Sequence, residues 1–94
     1  MTVEQVREPI RVAVIFGPGR TITPVWFEWR RRKHAISQTT YTWSDTVGET
    51  TRLHFSVSDG EALYELVYST ADQSWNLLNL AADQTEHDLR YESP

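Results

Sequence analysis

Thr50-Thr51-Arg52-Leu53-His54-Phe55-Ser56-Val57-Ser58, then Asp59-Gly60, then Glu61-Ala62-Leu63-Tyr64-Glu65-Leu66-Val67-Tyr68-Ser69 is the stretch that decides the fold class. In its first run Leu53, Phe55 and Val57 alternate with Arg52, His54 and Ser56. That period of two sends successive side chains to opposite faces of a sheet. Asp59-Gly60 is the strongest hairpin signal in the chain, because both residues tolerate the positive φ of a type I′ turn. The second run supplies Leu63, Tyr64, Leu66, Val67 and Tyr68 and reads as the returning strand.

Working outward, the same grammar repeats. Ile10 to Phe16 is a β-branched run with little polar interruption, the pattern of a strand covered on both faces. Gly17-Pro18-Gly19-Arg20 closes a hairpin, with Pro18 pre-setting φ and Gly19 accepting the positive φ of a type II turn. A strand from about Thr21 to Arg30 follows; Pro24 cannot donate to a ladder and so implies an edge position or a bulge. The next strand, His34 to Trp43, changes phase between Ile36 and the Tyr41/Trp43 pair, and a bulge near Ser37–Thr39 reconciles the two. Ser44 to Glu49 reads as a polar loop, Thr70 to Gln73 as a turn, and Ser74 to Ala81 as the last strand. The expected fold is all-β: a single small antiparallel meander of about six strands, barrel-like or strongly curved, since closure or pairing removes exposed edges. Residues 1–82 form that one domain, and 83–94 an acidic, flexible tail.

At 94 residues one core is the usual outcome, and large aromatics must fill it. Alternation points Trp29, Trp43 and Trp75 inward. Trp26 shares a face with Glu28 and Arg30 and is expected outward or at an interface. The absence of cysteine removes disulfides, thiolate metal sites and cysteine nucleophiles. No signal-peptide order opens the chain and no apolar run approaches the ~20 residues of a membrane span, so a cytoplasmic protein is expected. The net charge of −4 is segregated: residues 1–34 carry seven cations and three anions, residues 35–94 two cations and ten anions. Such asymmetry bears on association, and a second copy is one complementary partner.

The sharpest functional candidate is Trp26-Phe27-Glu28-Trp29-Arg30-Arg31-Arg32-Lys33-His34, an aromatic strand feeding four consecutive cations. The proposed contact surface is Trp26, Arg30, Arg31, Arg32, Lys33 and His34. The plain reading is a solvated hairpin turn whose mutual repulsion water and counterions screen. The functional readings are contact with a protein partner, or contact with the phosphates of single-stranded nucleic acid with aromatic stacking alongside. The acidic remainder of the chain favours protein, since dedicated nucleic-acid binders are usually basic overall.

Catalytic and metal signals are thin. His34, His54 and His87 never occur at ligand spacing, and a zinc site needs three or four convergent ligands. There is no Gly-x-Ser-x-Gly elbow, and Gly17-x-Gly19 lacks the third glycine and following helix of a dinucleotide loop. Glu61 and Glu65 stand about 13 Å apart on one strand face, too far for a glycosidase pair. The expectation is a non-catalytic interaction module without cofactor or metal, with a small-ligand carrier or enzyme as the least favoured class.

Pro24-x-x-Phe27-x-Trp29-Arg30-x-Arg32-x-His34-x-Ile36, then Trp43, Tyr64-x-Leu66 and Trp75-x-Leu77, resembles a small uncharacterised bacterial family of short all-β proteins over about residues 10–81. The family motif reads approximately Pro-x-x-Phe-x-Trp-Arg-Gly-Arg-x-Tyr-x-Val. This chain has Arg31 where the family has a turn glycine and His34 where it has tyrosine. The resemblance implies an all-β fold and no assigned catalytic residues. It implies a DNA-repair setting only through gene neighbourhood with error-prone polymerases.

Overall fold

The computed structural model describes residues 2–82; the tail from 83 to 94, and His87 with it, lies outside the described residues. Eight strands follow one another: β1 (Thr2–Pro9), β2 (Arg11–Gly17), β3 (Thr21–Trp29), β4 (Arg32–Ala35), β5 (Gln38–Val47), β6 (Thr50–Ser58), β7 (Ala62–Ser69) and β8 (Ser74–Ala82). They form two antiparallel sheets, one of order β1-β8-β7-β6-β5 and one of order β2-β3-β4. The all-β antiparallel class is as expected. The count and closure are not: eight strands in two sheets replace a six-stranded meander, and neither sheet closes into a barrel.

Two departures produce that difference. The N-terminal segment, to which the sequence reading assigns no strand, is β1, paired to β8 from Thr2↔Ala82 to Pro9↔Asn76. It is an edge strand: Glu4 and Arg7 stay exposed, while Val6, and Ile10 just beyond its end, pack against the core. The expected His34–Trp43 strand breaks at Ile36 and Ser37. Ile36 N–H still bonds Val25 O in one sheet (3.0 Å), and Ser37 N–H already bonds Ser58 O in the other (2.8 Å). Strands that switch sheets at such corners are one way two sheets are joined. The corner is followed by a register shift between Thr39 and Tyr41. Ile36 packs against the core while Tyr41 and Trp43 stand on the outer face, so the expected phase slip does not occur: the three residues never share a face.

Turn chemistry differs in detail. Ser44 to Val47 belongs to β5, and the expected polar loop shrinks to Gly48-Glu49 between Val47↔Thr50, with Gly48 at φ 62°. The hairpin at Asp59 is not type I′, since only Gly60 has positive φ. Instead the Asp59 carboxylate accepts the N–H groups of Glu61 (2.9 Å) and Ala62 (3.0 Å) and closes a longer loop. Gly19 does take positive φ, 72°, in a short 3-10 turn over Pro18–Arg20. Pro24 is buried on the central strand of its sheet, and the register shift opposite Ala13–Val14 marks the bulge that admits it.

The core lies between the sheets. Phe27 on β3 meets Phe55 and Val57 on β6, Tyr64 and Leu66 on β7, and Leu77 on β8. Trp29, Leu53 and Trp75 pack against this cluster and are only partly buried. Trp43 faces away from it and is 36% exposed, contrary to expectation, because register sets it opposite His54 on the outer face, on an edge strand with no neighbour beyond it among the described residues. Nor is β2 covered on both faces: it is also an edge strand, with Ile15 and Phe16 exposed.

Candidate binding surface

The β3–β4 hairpin carries the cations. Trp29 pairs with Arg32, leaving Arg30-Arg31 as a two-residue turn with φ of 53° and 66°. Positive φ at both central positions is the type I′ arrangement, which Asn-Gly or Gly-Gly enters readily. For an arginine the left-handed region costs about 1–2 kcal/mol per residue, because Cβ crowds the following carbonyl. The turn is strained where a glycine would relax it.

Alternation then distributes the charges. Lys33 pairs with Glu28 on the outer face of the small sheet and places its ammonium 4.5 Å over the Trp26 ring. Arg32, opposite Trp29, lies on the inner face at the rim of the core. Arg30 lies over Trp29 (4.3 Å) and beside Glu8 (3.4 Å) and Glu4 (4.0 Å), while Trp29 Nε1 donates to Glu8 Oε1 at 2.8 Å. Arg31, Arg32 and Lys33 are exposed and have no carboxylate within ion-pair distance among the described residues. Next to the turn an open hollow of ≈ 580 Å³ is lined by Pro9, Ile10, Arg11, Glu28, Arg30 and Arg31. The surface is thus a knob with an adjoining hollow, not a flat patch.

His34 does not share it. It turns inward from β4, its side chain 11% exposed, and stacks on Phe27 with ring centroids 4.8 Å apart. Its Nδ1 is 3.1 Å from Asp59 Oδ2, to which the Tyr64 hydroxyl also donates at 2.8 Å. This ties the hairpin of one sheet to the β6–β7 loop of the other. Burial pushes the Asp59 carboxyl up, but the amides of Glu61 and Ala62, then His34 and Tyr64, outweigh it and hold the group below its ordinary range. Burial, reinforced by Asp59, pushes the Tyr64 hydroxyl up. His34 Nε2 is buried without a partner.

A second polar network covers the outer face of the large sheet. Arg52 grips Asp45 with two hydrogen bonds of 3.0 and 2.8 Å. His54, 4% exposed, sets Nδ1 at 3.0 Å from Glu65 Oε2, and Asn79 donates to Glu65 Oε1 at 2.8 Å. His54 Nε2 lies 3.2 Å from Asp45 Oδ1, close enough for an ion contact but outside hydrogen-bond geometry. Trp43 stacks on the imidazole at 4.9 Å and Tyr41 tilts against Trp43. The Arg52 guanidinium is the main reason that the Asp45 carboxyl falls to about 2, against a smaller opposing effect of burial. His54 lies on the polar face of its strand, as its alternation with Leu53 and Phe55 predicts, but it is buried there, which the alternation does not show. The signal was available in outward positions on adjacent strands, yet only register makes them neighbours. Among the described residues no group of three or more His, Asp or Glu is arranged to hold a metal.

Comparison with protein-family models, with curated proteins and with solved structures found no match. The functional reading therefore stands on the geometry of these residues. No helix among the described residues is long and apolar enough to cross a membrane.

Proposed function

We propose that this chain is a non-catalytic protein-interaction module that grips an acidic segment of a partner protein with the Arg30–Arg31 turn and its adjoining hollow. The observation that carries the reading is the pair of arginines held at positive φ, 53° and 66°. Backbone strain of this kind persists where the surroundings over-determine it and clusters at functional sites. The hollow is lined by two apolar residues, Pro9 and Ile10, together with Arg11, Arg30, Arg31 and Glu28. A peptide with an aliphatic anchor flanked by carboxylates matches that chemistry.

Protein is favoured over single-stranded nucleic acid by the state of the aromatics. Trp26 lies under Lys33 and Trp29 under Arg30, so neither offers an open ring for base stacking beside the cations. Fluorescence anisotropy tests the reading with a labelled Asp/Glu-rich dodecapeptide carrying one leucine, against a labelled single-stranded oligonucleotide. At ~150 mM salt the peptide binds and the Arg30→Asn/Arg31→Gly variant loses at least about tenfold in affinity. Equal affinity in parent and variant discards the proposal, and tighter binding of the oligonucleotide replaces it with the nucleic-acid reading.

A further inference from the structure

The open edge of the large sheet points to a different partner. β5 is a ten-residue edge strand, and no described strand pairs with its outer side. It contains no Lys, Arg or Pro, residues that blunt an edge against strand addition, and its one charged residue is Asp45. By contrast β1 carries Glu4, Arg7, Glu8, Pro9 and a register shift, and β4 is four residues with Arg32 and Lys33. The register shift in β5 sits at its beginning, between Thr39 and Tyr41, and leaves 41–47 regular.

The hairpin fixes which backbone groups are open. Gly48-Glu49 is a two-residue loop, so Val47 and Thr50 form the closing hydrogen-bonded pair. Alternation then directs the N–H and C=O of Thr46, Ser44 and Thr42 away from β6. On the outer face Tyr41 is 66% and Val47 55% exposed; the β2 edge also exposes Ile15 and Phe16, but at adjacent positions that point to opposite faces, whereas Tyr41 and Val47 share one face. We infer that β5 pairs antiparallel with β5 of a second copy of this chain, about a two-fold axis at Ser44, joining two five-stranded sheets into one.

Self-complementarity selects a second copy over an unrelated strand. With the axis at Ser44, Thr42 of one copy faces Thr46 of the other and the two Ser44 residues face each other. Every outward backbone group between 42 and 46 thus finds its counterpart. In the same register Tyr41 of each copy covers Val47 of the other, an aromatic and β-branched cross-strand pair made twice. Threonine and serine hydroxyls face one another on the inner side. The one charge on β5, Asp45, is already neutralised by Arg52 of its own copy, so the edges meet without repulsion. The interface is isologous and closes at two copies.

Two measurements test this. Light scattering during size exclusion is expected to give twice the mass of one chain, with dissociation only below about 100 µM. Ser44→Cys, in a chain without other cysteine, is expected to give a disulfide-linked dimer on mild oxidation, because opposed Cα atoms of a hydrogen-bonded pair lie about 5.5 Å apart. Tyr41→Lys/Val47→Lys sets lysines opposite one another on an exposed face and is expected to weaken association at least about tenfold. A parent that stays monomeric at about 100 µM overturns the inference. So does a dimer that the Ser44→Cys variant fails to link or that the lysine pair leaves intact, as one built on the exposed Ile15–Phe16 end of β2 would be.

Discussion

Arg31 illustrates how much a single residue can hold in reserve. At φ 66° a glycine escapes the 1–2 kcal/mol penalty of an L side chain but loses more backbone freedom on folding. The balance predicts that Arg31→Gly stabilises the domain by about 0.5–1 kcal/mol in urea unfolding, while weakening capture of the acidic peptide. Stability and binding moving in opposite directions is the signature of strain kept for function; a neutral or destabilised variant would place the strain elsewhere. The two depressed carboxyls set the acid side. Asp59 and Asp45 have folded values below their unfolded ones, so the unfolded chain binds more protons in that window. Their contribution is complete above about pH 4, the unfolded carboxyl value, and is lost as pH falls through the folded values, about 2 for Asp45. Urea midpoints measured across the acid range are expected to fall with pH, and to fall less steeply in Asp59→Asn. Tyr64 acts in the other direction: its raised value makes its contribution full below about pH 10 and lost as pH rises beyond it.

At the scale of elements, β6 and β5 differ in what they carry. Phe55 is 5% exposed in the centre of the core, and Phe55→Ala is expected to cost about 3–5 kcal/mol. Trp43, on the rim, covers His54 and is expected to cost less than half of that when changed to Ala. Thermal melting of both variants checks the ranking, and a reversed order would mean that the outer face, not the inter-sheet core, dominates stability. β6 and β7 were readable because alternation and turn residues agree. β1 was not, because an edge strand whose charged and polar residues stand in water has no apolar period to read. The β4–β5 corner was not legible either: the aromatic pair Tyr41 and Trp43 reads as an inward phase, yet it stands on the outer face and Ile36 on the inner, which only the pairing with β6 decides.

Across the whole molecule, the larger sheet lends one face to the core and the other to a polar network spanning β5 to β8. The basic knob and the open β5 edge lie on different sheets, so partner capture and self-association are separable by mutation. The lysine pair on β5 is expected to leave peptide affinity within about twofold, and Arg31→Gly to leave the dimer intact. Loss of both functions in either variant would show the two surfaces to be coupled.

The strand periods, the hairpin sites at Gly19 and Gly60, the inward face of β6 and the exposure of Arg30 to Lys33 follow from local chemistry: steric limits on φ and an alternation that needs no distant partner. The inward turn of His34, the burial of His54 and the exposure of Trp43 do not. Each depends on which strand lies alongside, and pairings between residues 11 to 30 positions apart are set by inter-sheet packing and register rather than by neighbours in the chain.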